Sequence, residues 1–141
     1  MPYDLADIKM YIEGCHMMRN GALEHLSDAD LSFSPGGDNL TLGELFKQSG
    51  ELTHSYIQSL KTLKQDWTYR NDEPGLANSL SQLTGWFDAL DGQMRAILDQ
   101  LDAAALQQAV DRGSGSIRPV LSQLDIGRRF RIDRGHNSCG P

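Results

Sequence analysis

The chain is short of cysteine, of long apolar runs and, in its body, of basic charge, and each shortage removes a class of protein. It has two cysteines in 141 residues, Cys15 and Cys139, far apart and with no CxxC spacing. Neither a disulfide framework nor a zinc finger is expected, and a reducing cytoplasm is the expected compartment. No run of about 18 apolar residues is present, so no transmembrane helix is expected. The start, "MPYDLADIKM", is acidic and lacks the positive and apolar regions of a secretory signal. "DRGSGS" has glycine and serine but no lysine and no preceding strand, so it is not a phosphate loop.

What is present is ordinary for one soluble globular domain, with 39% hydrophobic and 23% charged residues. The net charge of −6 hides an asymmetry. Residues 1–111 carry 7 Lys+Arg against 17 Asp+Glu, a balance of −10, and residues 112–141 carry 6 Arg against 2 Asp, a balance of +4. The acidic body argues against nucleic acid as its partner. The basic tail lacks interleaved aromatics. Nucleic-acid binding through it would be strongly salt-dependent and lost on deleting 127–141.

Apolar periodicity predicts three long helices. The first spans about Asp4 to Leu26, with Leu5, Ile8, Ile12, Cys15, Ala22, Leu23 and Leu26 on one stripe. "SDADLSFSPGGDNL" then reads as a loop, broken at Pro35-Gly36-Gly37. The second helix begins at Thr41, where Thr41 and Glu44 have capping-box spacing. Leu42, Leu45, Phe46, Ser49, Leu52, Tyr56, Ile57, Leu60 and Leu63 form its apolar face, and "DWTYRNDEPG" ends it. The third starts near Ser79, again with capping-box spacing to Gln82, and its stripe is Leu83, Phe87, Leu90, Met94, Ile97, Leu98 and Leu101. "DAAALQQAV" reads as a short helix and "DRGSGSIRP" as a flexible connection. No strand is expected anywhere.

A fourth helix is predicted from Val120 and then fails. Arg128 and Arg131 occupy positions that should be apolar, and Gly127 weakens the middle. The expected fold is therefore an all-α up-and-down four-helix bundle over 1–127, its fourth helix short or disrupted. Residues 128–141 are expected to form a basic irregular tail. A shift of reading frame near Gly127 would account for the lost periodicity and the reversed charge together.

The order long helix, Pro/Gly loop, "TLGELFKQSGELTHSYIQSL", "DWTYR", "LTGWFDALD" and late "QLDIG" resembles the DinB/YfiT-like superfamily of four-helix bundles, over residues 4 to 127. That resemblance implies a dimeric bundle. Many relatives of this kind bind a divalent metal through three histidines, one on the second helix and two a turn apart on the fourth. Some are thiol-dependent transferases or isomerases, and others metal-dependent hydrolases. Here the second-helix ligand position falls on Gln48, whose amide oxygen is a weak ligand beside imidazole. "GRRFRIDRG" offers no histidine pair, and only His136 lies nearby. The resemblance thus implies small-molecule or thiol binding, or protein interaction, without an intact metal triad. The alternative it implies is a Zn- or Ni-dependent hydrolase or thiol transferase using His136 and Gln48, where the cation would lower the pKa of water or thiol.

Among candidate residues, His54 lies about 140° from the centre of its helix's apolar face and is expected in solvent. Gln48, about 100° from that centre, either lines a pocket or is a boundary residue. His16 adjoins core-facing Cys15, but helix neighbours point about 100° apart, which favours packing over a Cys-His nucleophile pair. Tyr11, Met17, Met18, Trp67, Tyr69 and Trp86 would form either an aromatic and thioether pocket or plain core. Arg70 would bind a carboxylate ligand or pair with Asp72, Glu73 or the third helix. A truncated fourth helix would leave Leu45, Leu52, Phe87, Leu90 and Met94 partly exposed, which predicts a homodimer covering them.

Overall fold

The computed structural model describes residues 5–106, 108–111 and 117–119. Helices α1 (Leu5–Glu24), α2 (Leu42–Thr62) and α3 (Leu80–Gln100) fall close to the spans that periodicity predicts, and a single helical turn follows at Ala103–Leu106. The expected fourth helix, the basic tail and His136 lie outside the described residues.

The helix starts follow from the side chains that cap them. At Thr41 both halves of the capping box form: the Glu44 amide donates to Thr41 Oγ1 at 3.1 Å, and the Thr41 amide to Glu44 Oε1 at 3.2 Å. Ser79 accepts from the Gln82 amide at 3.2 Å. The segment before α2, expected as plain loop, contains a 3₁₀ helix at Asp28–Ser32 with its own Ser27–Asp30 capping box. Its Leu31 is fully buried and plugs one end of the core.

Charged pairs fix the direction of α1 against α3. Lys9 meets Asp99, Glu13 meets Arg95 and Arg19 meets Asp91, so numbers rise along one helix as they fall along the other. These two helices are antiparallel. After α2 the chain turns at Leu63, a left-handed residue at φ 60°, and residues 64–78 retrace α2 from its end to its start. Asp66 lies against Ser55, Tyr69 against His54, Asn71 against Glu51 and Ala77 against Gly43. α3 then begins beside the start of α2, with Phe87 against Phe46, and runs the same way. The bundle is as expected; periodicity did not reveal that a returning strap makes α2 and α3 parallel.

Two glycines let these pieces close. A Cβ on Gly43 would lie 1.7 Å from the Ala77 carbonyl oxygen, and one on Gly50 would lie 2.4 Å from the Trp86 indole. The core between the helices is Ile8, Ile12, Ile57, Leu83, Phe87, Leu90 and Met94, all buried.

Two expectations need correction. No strand was predicted, yet β1 (Ala109–Asp111) and β2 (Ile117–Pro119) pair antiparallel. Three residues are too few to show an alternating pattern. β1 is anchored on the end of α2: the Asp111 amide donates to the Leu63 carbonyl at 2.9 Å, and the Gln65 amide to the Asp111 carbonyl at 2.7 Å. The second correction concerns the predicted groove. Phe87, Leu90 and Met94 are buried within the chain, and Leu45 and Leu52 are half-buried. That face gives no reason for a dimer.

Candidate functional site

Two polar constellations are built on this frame. The first bridges α1 and α3. Asp91, only 2% exposed, receives His16 Nε2 at 3.2 Å on Oδ1 and a two-pronged Arg19 guanidinium. The Arg19 guanidinium carbon also sits 4.4 Å from the Phe87 ring centre, so the cation lies between a carboxylate and an aromatic face. A buried carboxylate with two cationic partners holds two helices in register. His16, expected at a boundary, is buried at the centre of this arrangement.

The second is the flank of α2 beneath the strap. Gln65 Nε2 donates to Ser55 Oγ at 2.7 Å, and Ser55 Oγ in turn donates to the Asp66 carbonyl. Glu51, 8% exposed, accepts from the Asn71 amide at 2.9 Å and from Lys47 Nζ at 3.1 Å. Trp67 meets Tyr56 edge to face. Arg70 pairs with none of its predicted acids. It donates to the Trp67 and Tyr69 carbonyls and so holds the strap's own backbone in shape.

His54 is where the sequence reading fails most plainly. It does not stand in solvent. Its ring is stacked under Tyr69, centroids 3.6 Å apart and planes 17° apart, with Nδ1 buried and given no hydrogen-bond partner among the described residues. Its angle on α2 is the predicted one, but the strap covers that side of the helix. Burial and then Lys61 push the imidazole below its usual pKa. Burial and nearby Glu51 push the Tyr69 phenol up. Two hydrogen bonds from Thr68 hold the Asp66 carboxyl below the usual carboxylate range.

Two clefts open on either side of Tyr69. The smaller, about 90 Å³, has Gln48, Glu51 and Arg70 in its walls. The larger, about 450 Å³, includes His54, Gln58, Lys64 and Asp66. Ser55, Asp66 and Tyr69 line both.

This arrangement of helices and strap has a solved counterpart. The structure is similar to the crystal structure of a DinB-like protein of Bacillus subtilis, YjoA, with a TM-score of 0.73. The match covers 92% of this chain and 85% of that one, at 18% sequence identity. The fold is DinB-like. No family model and no curated protein matches the sequence, so the likeness rests on three-dimensional form.

The metal site that DinB-like bundles imply was tested on the residues present. Gln48 lies in the smaller cleft, and the carboxylate one turn along, Glu51, is held by an ammonium 3.1 Å away and by a backbone amide. Among the described residues no three His, Cys, Asp or Glu side chains gather to hold a cation. The donors around Gln48 do not fit a divalent metal.

The other predicted pocket residues do not converge. Tyr11, Met17 and Met18 are exposed on α1, while Trp67 and Tyr69 belong to the strap. Trp86 lies between α3 and Gly50 and stacks on Phe87 at 5.8 Å. Cys15 is half-buried beside His16. Asp91 escaped the sequence reading, although an acid one position after Leu90 in the third helix's apolar stripe was a visible signal.

Proposed function

We propose that this DinB-like bundle is a metal-independent binding protein whose ligand site is the cleft pair under the strap. The observation that carries the reading is the larger cleft, built around the His54–Tyr69 stack and within the size range of small-molecule sites. Its walls offer Lys64 and Asp66 as opposite charges and Gln58 as a neutral polar group. Such walls suit a small polar molecule carrying charges of both signs, a class that includes low-molecular-weight thiols of peptide type. Tyr69 is the platform against which the ligand packs, and Gln48 and Arg70 supply polar contacts at the narrow end. We place the protein in the cytoplasm on its cysteine usage; among the described residues no helix is long and apolar enough to cross a membrane.

The test has two arms. Protein purified without a histidine tag should carry far less than one equivalent of zinc or nickel. In a thermal-shift screen of small zwitterions and thiols, hits should raise the melting temperature of the native chain and not of Tyr69→Ala. Near-stoichiometric metal would instead favour the hydrolase or transferase reading with His136 as a ligand.

A further inference from the structure

α1 is apolar on two opposite faces. Ile8, Ile12 and Leu23 face the core, while Met10, Met17 and Met18 are 70%, 73% and 78% exposed on the far side. The charged residues between Asp7 and Glu24 are Lys9, Glu13 and Arg19, and all three turn to α3. The outer face of α1 is thus left without charge in a body that carries a large acidic excess.

The outer face of α3 is complementary in shape. Gly85, Ala89, Gly92 and Ala96 recur at spacings of four, three and four, all exposed, and make a shallow groove. A Cβ on Gly85 or Gly92, or on Gly14 or Gly21 of α1, would meet nothing within 4 Å. Glycine inside a helix costs about 1 kcal/mol relative to alanine. Nothing within the chain demands these four, in contrast to Gly43 and Gly50.

At 100° per residue, Met10 and Met17 lie beside Glu13 on α1, and Gly92 and Ala96 lie beside Arg95 and Asp99 on α3. The methionine ridge and the small-residue groove therefore flank the Glu13–Arg95 and Lys9–Asp99 pairs on one face. Two helices of about 30 Å lying side by side offer roughly 600 Å² per copy, or about 1,200 Å² in a dimer, which reaches the range of specific interfaces.

We infer that this α1/α3 face is the contact between two copies of the chain, with α1 of each laid along α3 of the other. A two-fold axis parallel to the helices keeps each residue at its own level. Glu13 pairs with Arg95, so Met17, one turn further on, is level with the position between Ala89 and Gly92 of the second copy. The charges on this face are already neutralised within each copy, so two acidic bodies can approach here without opposing fields. The dimer foreseen from the sequence was placed on Phe87, Leu90 and Met94; the exposed surface is on the other side of the same helices.

The experiment is sedimentation of the full-length chain at micromolar concentration, alone and with charge variants. The native protein should sediment at twice the chain mass. Met17→Glu and Ala89→Lys, both at exposed positions, should each raise the dissociation constant about a hundredfold with helical circular dichroism unchanged. Combined in one chain, they should restore the dimer by placing opposite charges together. A monomeric native protein would overturn the proposal, as would single variants that stay dimeric. Failure of the double variant to recover would overturn the α1-on-α3 pairing.

Discussion

The Trp86 indole lies where a methyl group on Gly50 would have to go, 2.4 Å from that Cβ position. This close approach sets the distance between α2 and α3. Gly50→Ala should therefore destabilise the protein by about 1–3 kcal/mol, since the indole is itself packed against Phe87 and has little room to yield. Urea denaturation of the two proteins measures it. Gly14→Ala, which meets nothing within the chain, should leave the unfolding of a monomer unchanged or slightly improved.

Asp91 is the buried partner of both His16 and Arg19. Asp91→Asn keeps the shape and removes the charge, leaving a mostly buried guanidinium without its counter-ion. A loss of about 3 kcal/mol is expected. Denaturation at neutral pH provides the reading, and an effect below about 1 kcal/mol, as for an exposed pair, would show that water reaches this site.

The His54 imidazole titrates below its usual 6.5 in the folded protein because of burial and Lys61. The unfolded chain thus takes up this proton first as pH falls. Stability from this group is fully present above about pH 6.5 and is lost as pH drops from there through the lower folded value. Melting temperatures between pH 8 and pH 5 should show this loss in the native protein, and His54→Gln should flatten that part of the profile. Identical profiles would remove His54 as the source.

The strap is held at its start by Ser55, which accepts from Gln65 and donates to the Asp66 carbonyl. Ser55→Ala should cost about 1 kcal/mol and loosen the strap before the bundle melts. Trp67, which packs edge to face on Tyr56, reports this. Its fluorescence should shift to the red in the variant while helical circular dichroism stays the same.

The helices were legible because their signals are local. Thr41 and Glu44 announce a helix start three residues apart, and the apolar stripe of α3 is uninterrupted from Leu83 to Leu98. The strap was not legible. "KQDWTYRNDEP" has no period, and what holds it are single hydrogen bonds to residues a turn or more back along α2. His54 was placed correctly by angle and wrongly by environment, because an angle on one helix cannot tell what lies over it. Gln48 was found through the resemblance, yet Glu51, Tyr69 and Asp66, which share its clefts, become neighbours only when the chain folds back. The outer methionines of α1 read as core or pocket because apolar residues on both faces blur a single stripe.

The central claim is a ligand site beneath the strap that works without a metal. Backbone NMR of chelator-treated protein, titrated with small zwitterions and thiols, tests it most directly. The account predicts shifts confined to residues 48–58 and 64–70, with the Trp67 indole among them, and their loss in Tyr69→Ala. Shifts mapping elsewhere on the bundle, or binding that appears only after zinc or nickel is added back, would contradict it.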